Sequence, residues 1–246
     1  MTIPAPLYAQ VEQALLARLG VDLHPGDQLP TEEELVRELG VSRITVRRAI
    51  QNLAARGLVV TRRGQGSFVA APRITQPLTA LTGFVEDMDA HGLPSRARVL
   101  GIEEITAPST VRTALELPLG ARVTHIQRVR LAIGEPVSFD DTYLPVELGR
   151  LVAQDDLENE QIFTLLESRH DTPLVEATYA LQASTADASV ASALDVDEGS
   201  AIFRIERTSF TTGQRPVDHE VLYYRGDAIT FTTRLPRLGS QQDGEG

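Results

Sequence analysis

The chain contains no cysteine among its 246 residues. A disulfide framework, a thiolate metal site and a cysteine nucleophile are therefore all excluded. A membrane-spanning helix needs ~20 consecutive apolar residues, and no apolar run in the chain approaches that length. The first residues also lack the charged-then-apolar pattern of a secretory signal. We therefore expect a cytoplasmic protein with no membrane partner.

Lysine is absent as well, since all 23 basic residues are arginine, and 34 acidic residues give a net charge of −11. Such a charge argues against a nucleic-acid partner, but it is unevenly distributed. Residues 1–73 carry nine arginines against seven acids, whereas residues 74–246 carry fourteen against twenty-seven. Residues 41–73 hold seven arginines and no acid. This local block of positive charge is typical of a surface that binds nucleic acid.

The length and the 42% hydrophobic content allow either one large domain or two smaller ones, each with its own core. The segment 72–77 begins and ends with proline, and the composition turns acidic after it. This change predicts a linker at 72–77 between a first domain at 1–71 and a second at 78–238. Residues 239–246 are predicted to be a flexible tail.

The first domain reads as three amphipathic helices. Apolar residues at helical spacing predict a helix over residues 6–19, namely Leu7, Val11, Leu15 and Leu19. Thr31 followed by Glu34 forms a capping box that starts a second helix, which ends near Gly40. Ser42 caps a third helix with an arginine-rich outer face. Two helices joined by a short turn, the second presenting arginines, indicate a helix-turn-helix.

Two short runs of β type follow the third helix, at residues 58–61 and 67–70. They are joined by a basic segment with two glycines, Arg62, Arg63, Gly64, Gln65 and Gly66. A hairpin with a basic tip in this position is typical of a wing. Each part alone has a simpler explanation as a turn, a helix cap or a solvated arginine. Their ordered combination predicts DNA binding.

Residues 5–70 also match a known family pattern. The motifs that carry the match are Gly26-x-x-Leu29-Pro30-Thr31-Glu32, Val41-Ser42-Arg43-x-Thr45-Val46-Arg47-x-Ala49 and Gly64-x-Gly66-x-Phe68-Val69. They resemble the winged helix-turn-helix of the GntR family of bacterial transcription regulators. The resemblance implies that Ser42, Arg43, Thr45 and Arg47 dock in the major groove. Arg43 is then the candidate for reading a guanine through O6 and N7, which its planar fork matches.

The same resemblance implies phosphate contacts from Thr31, Arg47 and Arg48, and entry of the wing tip into the minor groove. The candidate DNA-binding residues are Thr31, Ser42, Arg43, Thr45, Arg47, Arg48, Arg62, Arg63, Gly64, Gln65 and Gly66. The chain departs from many relatives at Glu33, where they carry arginine. We expect no DNA contact from that carboxylate.

The second domain repeats itself at an offset of 79 residues. Matched pairs include Phe84 and Phe163, His91 and His170, Pro94 and Pro173, Gly120 and Gly199, Arg128 and Arg207, and Gly134 and Gly213. Each copy reads as a helix, a strand, a short helix and a two-stranded hairpin. The repeat predicts two α+β halves related by a pseudo-twofold around an antiparallel sheet, with a cleft between them.

Charged residues are predicted to meet in this cleft. Arg128 and Arg130 alternate along one strand and therefore point to the same face, while Asp140 lies on the partner strand. In the second copy Asp218 and Glu220 share a face, and either could face a ligand. The alternative is that the two arginines are solvated strand residues paired with nearby acids.

Thr82 and Gln161 occupy equivalent repeat positions at the starts of the two longer helices. Free backbone N–H groups at such positions attract anions. Together with the arginines, they would suit a phosphate or carboxylate ligand, whose hydroxyls or amine would meet the acids.

A second resemblance rests on Arg128-x-Arg130, Gly134-x-Pro136-Val137, Tyr143-Leu144-Pro145, Ile162-Phe163 and Tyr224-Arg225-Gly226-Asp227. With these motifs, residues 77–236 resemble the UTRA effector-binding domain of the HutC subfamily, whose fold is similar to chorismate lyase. The resemblance implies an effector pocket lined by Thr82, Arg128, Arg130, Asp140, Gln161 and Asp218. Relatives usually carry Glu at Asp140 and Asp218 and Ser at Gln161, so this pocket is reshaped. Tyr224 is a further pocket candidate, or a core residue.

The sequence thus predicts an α+β protein of two domains, a winged helix-turn-helix followed by a chorismate-lyase-like domain with an internal repeat. We expect a repressor that binds a palindromic operator in double-stranded DNA as a homodimer, under control of a small anionic effector such as a sugar phosphate. The five histidines show no metal-ligand spacing, so no metal or other cofactor is expected. The alternatives are a constitutive DNA-binding dimer and an enzyme related to chorismate lyase.

Overall fold

A computed structural model describes residues 5–78, 88 and 94–235 of the chain. The N-terminal part is a three-helix unit followed by a hairpin, which together form a winged helix-turn-helix. Its elements are α1 (Leu7–Leu16), α2 (Glu32–Leu39), α3 (Arg43–Ala55), β1 (Val59–Arg62) and β2 (Gly66–Val69). We call this unit the DNA head.

The helix boundaries follow the capping signals in the sequence. Thr31 Oγ1 accepts a hydrogen bond from Glu34 N at 3.2 Å, and Glu34 Oε2 accepts one from Thr31 N at 2.8 Å. Gly40 ends α2 with a φ of +64°, a conformation that favours glycine. Ser42 Oγ then accepts from Thr45 N at 3.2 Å and starts α3. The predicted start of α2, its end and the cap of α3 are confirmed.

The first helix is shorter than predicted. It ends at Leu16 rather than at residue 19, because the chain turns there and Leu19 forms an isolated bridge with Leu23. Leu19 and Leu23 are nevertheless buried in the core of the head with Leu15. The apolar spacing therefore identified buried positions at Val11, Leu15 and Leu19, but Leu7 is 56% exposed and the helix is shorter than predicted. The two wing strands also lie one residue from their predicted positions.

The segment predicted as a linker contains a strand, β3 (Ile74–Pro77). It pairs in parallel with a strand near the C-terminal end of the second domain, β10 (Ile229–Thr232), starting with Ile74 opposite Ile229. Ile74 is almost fully buried. The chain is therefore anchored to the second domain from Ile74 onward, and the connection that remains without regular structure is short.

The C-terminal part is built on one six-stranded antiparallel sheet. Its strands are β4 (Ser95–Thr106), β5 (Arg122–Ala132), β6 (Glu135–Pro145), β7 (Glu176–Thr185), β8 (Ala201–Thr211) and β9 (Arg215–Arg225). Its described helices are α4 (Ser109–Ala114), α5 (Val146–Val152), α6 (Ile162–Arg169) and α7 (Ala188–Leu194). The strand order, β4-β5-β6-β9-β8-β7, is symmetric about the β6–β9 pair, which confirms the predicted internal repeat. In the described residues, no helix is long and apolar enough to cross a membrane.

The DNA head contacts the second domain through two glycines. Gly134 lies in the turn between β5 and β6, and Gly20 lies in the turn after α1. A Cβ atom on Gly134 would lie 2.7 Å from the Cα of Gly20, and one on Gly20 would lie 2.5 Å from the backbone nitrogen of Gly134. Both distances are far below van der Waals contact, so neither position has room for a side chain. Ile133 is buried beside this contact.

Replacement of Gly134 by alanine should separate the head from the second domain, because the new methyl group overlaps the backbone of Gly20. The change should enlarge the radius of gyration in solution scattering and lower the unfolding temperature of the head.

Gly213→Ala is the matched control, since Gly213 is the repeat equivalent of Gly134. Its φ of +76° is close to the +78° of Gly134, and a Cβ atom added to Gly213 would meet no described atom within 4 Å beyond its chain neighbours. Both variants carry the same backbone strain, about 1–2 kcal/mol for an L-residue in the left-handed region. If Gly134→Ala and Gly213→Ala give the same scattering profile, the contact between Gly20 and Gly134 does not hold the head against the second domain.

Candidate DNA interface and effector pocket

Three of the predicted DNA-binding residues, Thr31, Arg43 and Gly66, lie together on one surface of the head. A groove on the head is lined in part by Thr31 and Glu32 from the start of α2, Arg43 from the start of α3, and Gly66 and Ser67 from the wing. The caps at Thr31 and Ser42 fix the starts of α2 and α3, and so they fix the positions of the residues that these starts contribute. We call this groove, together with the exposed outer face of α3 and the wing tip, the DNA surface.

Arg43 and Arg47 are exposed on α3, and both contact Glu32. Arg43 Nε donates to Glu32 Oε2 at 2.7 Å. Arg47 Nε and Nη2 donate to the two carboxylate oxygens at 3.1 Å each. The hydrogen bonds from Arg47 and then from Arg43 lower the pKa of Glu32, so this carboxylate is ionised at neutral pH.

Two further arginines rest on aromatic rings. The guanidinium of Arg48 lies 4.3 Å from the ring centroid of Tyr8, and that of Arg62 lies 4.8 Å from the ring of Phe68. Such contacts are worth about 0.5–1 kcal/mol at exposed sites. They restrain the two guanidinium groups, while both arginines remain exposed to solvent.

The wing tip turns at Gly64 and Gly66, whose φ angles are +75° and +110°. Gln28 Nε2 donates to the backbone oxygen of Gln65 at 2.8 Å and ties the tip to the rest of the head. Arg63 is exposed at the same tip. The tip is therefore basic, accessible and held in place.

The hydroxyl groups proposed for DNA contact already have partners within the chain. Ser42 Oγ and Thr45 Oγ1 lie 2.9 Å apart, and Thr31 Oγ1 donates to Glu34 Oε2 at 2.9 Å. Ile44, which the sequence predicts on the outer face of α3 but which is not among the candidate contacts, is 83% exposed on the first turn of that helix. Its signal was an apolar residue on the polar side of an amphipathic helix.

A second site lies on one face of the large sheet, where α6 covers it. The pocket there is lined by Arg96, Ala97, Arg128, Arg130, Glu158, Glu160, Gln161, Ile162, Phe163, Arg207 and Glu220. It contains residues from both repeats, as the cleft prediction required. Arg128 and Arg130 are only 3% and 8% exposed. The alternative that these two arginines are solvated strand residues is therefore wrong.

Two buried ion pairs lie at this pocket. Arg130 pairs with Asp140, whose Oδ1 also accepts from Ser138 Oγ at 3.1 Å. Arg207 pairs with Glu220. Burial opposes ionisation of Glu220, but the Arg207 charge holds the pKa of Glu220 below its usual value. Each pair therefore neutralises itself within the protein.

Among the described residues, Arg128 has no such carboxylate partner. Its Nη1 donates to the backbone oxygen of Leu157 at 3.3 Å, and its Nε makes no hydrogen bond within the same part of the chain. Burial, and then the neighbouring Arg130 charge, lower the pKa of Arg128 to about 10. The guanidinium therefore remains charged at neutral pH. A buried charge without a carboxylate partner is costly, and an anion in the pocket would remove that cost.

The remaining predicted residues differ in their relation to the pocket. Gln161 lines it as the N-cap of α6, and its side chain makes no capping hydrogen bond within the described chain. Asp218 is fully buried, and its Oδ1 accepts a hydrogen bond from Ser209 N at 3.1 Å. It does not line the pocket. Tyr224 packs edge-on against Phe231, with ring centroids 5.4 Å apart. Thr82 lies outside the described residues.

Sequence reasoning missed Arg207 and Phe163. Arg207 lies 3.9 Å from the ring centroid of Phe163, and its Nη1 donates to Tyr179 Oη at 3.0 Å. The repeat contained the signal, because Arg207 is the equivalent of Arg128. Between Asp218 and Glu220, which the sequence left open, Glu220 is the one that lines the pocket.

Comparison with known proteins agrees with the two-domain organisation. The family described as "Bacterial regulatory proteins, gntR family" matches residues 7–69, and the UTRA domain matches residues 90–230. The chain belongs to the GntR family of transcriptional regulators. The UTRA domain is a ligand-binding effector domain. The two resemblances stated from sequence are confirmed.

Individual relatives support the same assignment for this GntR regulator over nearly its whole length. It is 30% identical over 236 residues to the transcriptional repressor NagR of Bacillus subtilis, covering 96% of this chain and 97% of that protein. It is 30% identical over 235 residues to the histidine utilization repressor of Pseudomonas putida, covering 95% and 94%. The crystal structure of PhnF from Mycobacterium smegmatis aligns with a TM-score of 0.65 and 28% identity, covering 91% of this chain and 98% of that one. The family model and both of these relatives are described as regulators or repressors.

Replacement of Asp218 by asparagine should change how stability depends on pH. Burial and the nearby Glu220 charge raise the pKa of Asp218 to about 7, whereas in an unfolded chain it is about 3.9. Between these values the unfolded chain has lost the proton and the folded one keeps it, so stability falls as pH rises. Asp218→Asn should remove this decline, measured as the free energy of unfolding in denaturant between pH 4 and pH 8.

Asp227→Asn serves as the control, because the Arg225 hydrogen bond lowers the pKa of Asp227. Loss of that carboxylate should reduce stability at neutral pH instead. Parallel stability profiles for Asp218→Asn and the unaltered protein would show that Asp218 titrates normally.

Proposed function

We propose that this regulator is a homodimeric repressor that binds a palindromic operator in the cytoplasm through the DNA surface. A twofold dimer presents its two recognition helices to successive major grooves. In this arrangement Ser42, Arg43, Thr45 and Arg47 enter the major groove. Thr31, Arg47 and Arg48 hold phosphates, and the basic wing tip, residues 62–66, enters the minor groove.

A small anionic effector controls that binding from the pocket in the second domain. The observation that carries this proposal is Arg128, a buried guanidinium without a carboxylate partner within the described residues. Its planar fork suits a phosphate or a carboxylate. Gln161 and Glu220 line the same pocket and offer polar groups for the hydroxyls or the amine of a ligand such as a sugar phosphate. Asp140, behind Arg130, fixes the orientation of that arginine.

Arg43→Ala should relax the base preference at one operator position, because Arg43 supplies the guanine contact. The expected cost there is about 1–3 kcal/mol. The measurement is selection of preferred sites from a randomised duplex library, followed by affinities for the selected site and its single-base variants.

Arg37→Ala is the control, since Arg37 is an exposed arginine of α2 outside the proposed contact set. It removes the same charge and should leave the base preference unchanged. Affinity of the unaltered protein should also fall linearly with the logarithm of salt concentration. An Arg43→Ala variant with the original base preference, or a flat salt response, would refute the DNA contacts proposed here.

The effector proposal is tested on the full chain by thermal unfolding with phosphosugars, amino acids, organic acids and inorganic phosphate. A ligand at ~100 times its dissociation constant stabilises the protein by ~2.7 kcal/mol, a shift of a few degrees. Arg128→Met should abolish the shift. Without ligand the variant should unfold at or above the temperature of the unaltered protein, because it lacks an unpaired buried charge.

Arg98→Met is the matched control, because Arg98 is an exposed arginine on β4 that does not line the pocket. It should retain the ligand-induced shift. If no compound in the panel shifts the unfolding temperature, or if Arg128→Met retains the shift, Arg128 is not the anion site. A constitutive DNA-binding dimer would then be the better description.

A further inference from the structure

One carboxylate, that of Glu32, holds two arginines of the DNA surface. Its Oε2 accepts hydrogen bonds from Arg43 Nε at 2.7 Å and from Arg47 Nη2 at 3.1 Å, and its Oε1 accepts from Arg47 Nε at 3.1 Å. Arg43 and Arg47 lie one turn apart on α3, whereas Glu32 is the first residue of α2. The contact therefore crosses the turn of the helix-turn-helix.

Glu32 is better fixed than the arginines that it holds. Its side chain is 27% exposed, whereas those of Arg43 and Arg47 are 60% and 57% exposed. The capping box fixes the backbone on which it stands, and a negative charge at a helix N-terminus is favourable. The carboxylate is thus an anchor, and the two arginines take their orientation from it.

The hydrogen bonds also determine which donors each arginine keeps for DNA. Arg43 binds Glu32 through its Nε, so its two terminal nitrogens keep the paired donors that a guanine edge requires. Arg47 uses both Nε and Nη2, so its second terminal nitrogen is left for a single acceptor such as a phosphate oxygen. The geometry matches the different roles proposed for the two residues.

We propose that Glu32 is a positioning residue for operator recognition. It directs Arg43 towards a base edge and Arg47 towards the backbone, and so sets the base preference without contacting DNA. An exposed ion pair adds little to stability, but it reduces the side-chain freedom that is lost on binding. This inference rests on the proposed function of the DNA surface.

The test is Glu32→Gln in the full chain, because glutamine keeps the shape of the side chain and removes its charge. Two affinities are measured, for the operator selected from a randomised duplex library and for a scrambled duplex of the same composition. Non-specific affinity should rise, since the surface loses a negative charge. The ratio of specific to non-specific affinity should fall by roughly tenfold, the scale of one bidentate base contact.

Glu33→Gln is the matched control. It removes the same charge from the next residue, whose carboxylate approaches Arg43 Nη1 at 3.9 Å, beyond hydrogen-bond distance. This variant should raise both affinities and leave their ratio unchanged. If Glu32→Gln does the same, Glu32 merely competes with phosphate and the proposal is wrong.

Two further measurements separate the possible failures. Thermal unfolding shows whether the head of Glu32→Gln is intact, and an intact head that keeps the original ratio overturns the proposal. Arg43→Ala shows whether the DNA surface acts as proposed. If Arg43→Ala changes the base preference and Glu32→Gln does not, only the role of Glu32 fails. If Arg43→Ala leaves the preference unchanged, the proposed function fails with it.

Discussion

The antiparallel pairing of β6 with β9 is the constraint on which the effector domain depends. It is the only ladder between the two repeats of the described sheet, and it places Thr142 opposite Glu220 and Asp140 opposite Leu222. Directly paired residues share a face, so charged groups from both repeats meet in one pocket. Thr142 Oγ1 donates to Glu220 Oε1 across this joint at 2.9 Å. A shift of one residue in the pairing would move the polar set of one half to the opposite face.

Arginines lie both on the DNA surface and in the pocket of the second domain, but the desolvation cost of their charge differs between the two places. Beside Glu32 the guanidinium groups of Arg43 and Arg47 are largely exposed, so their ion pairs with that carboxylate carry little desolvation cost. In the pocket the same group is desolvated, and a missing partner is costly. Within the described chain, two buried arginines of the pocket, Arg130 and Arg207, pair with carboxylates, and Arg128 does not. The exposed arginines can therefore be oriented by a carboxylate at little cost, whereas the buried one carries a desolvation cost that an anion in the pocket would reduce.

Local signals in the sequence predicted much of the fold. The caps at Thr31 and Ser42 predicted the starts of the two helices, because a capping signal lies within a few neighbouring residues. The residues that match at a constant offset of 79 predicted the symmetric sheet. Contacts between distant segments were not predictable in this way. Nothing near Ile74 indicates its pairing with Ile229. The contact of Glu32 with Arg43 likewise depends on the angle between two helices, which no single segment encodes.

The contact between Gly20 and Gly134 has a consequence for exchange of parts between relatives. The hairpin that carries Arg128, Arg130 and Asp140 ends in the turn that contacts the head, so the strands of the pocket and the head are in direct backbone contact. A chimaeric regulator that keeps this effector domain needs a donor head with a residue lacking Cβ at the point of contact. Sequence identity elsewhere in the donor matters less for such a graft than this single position.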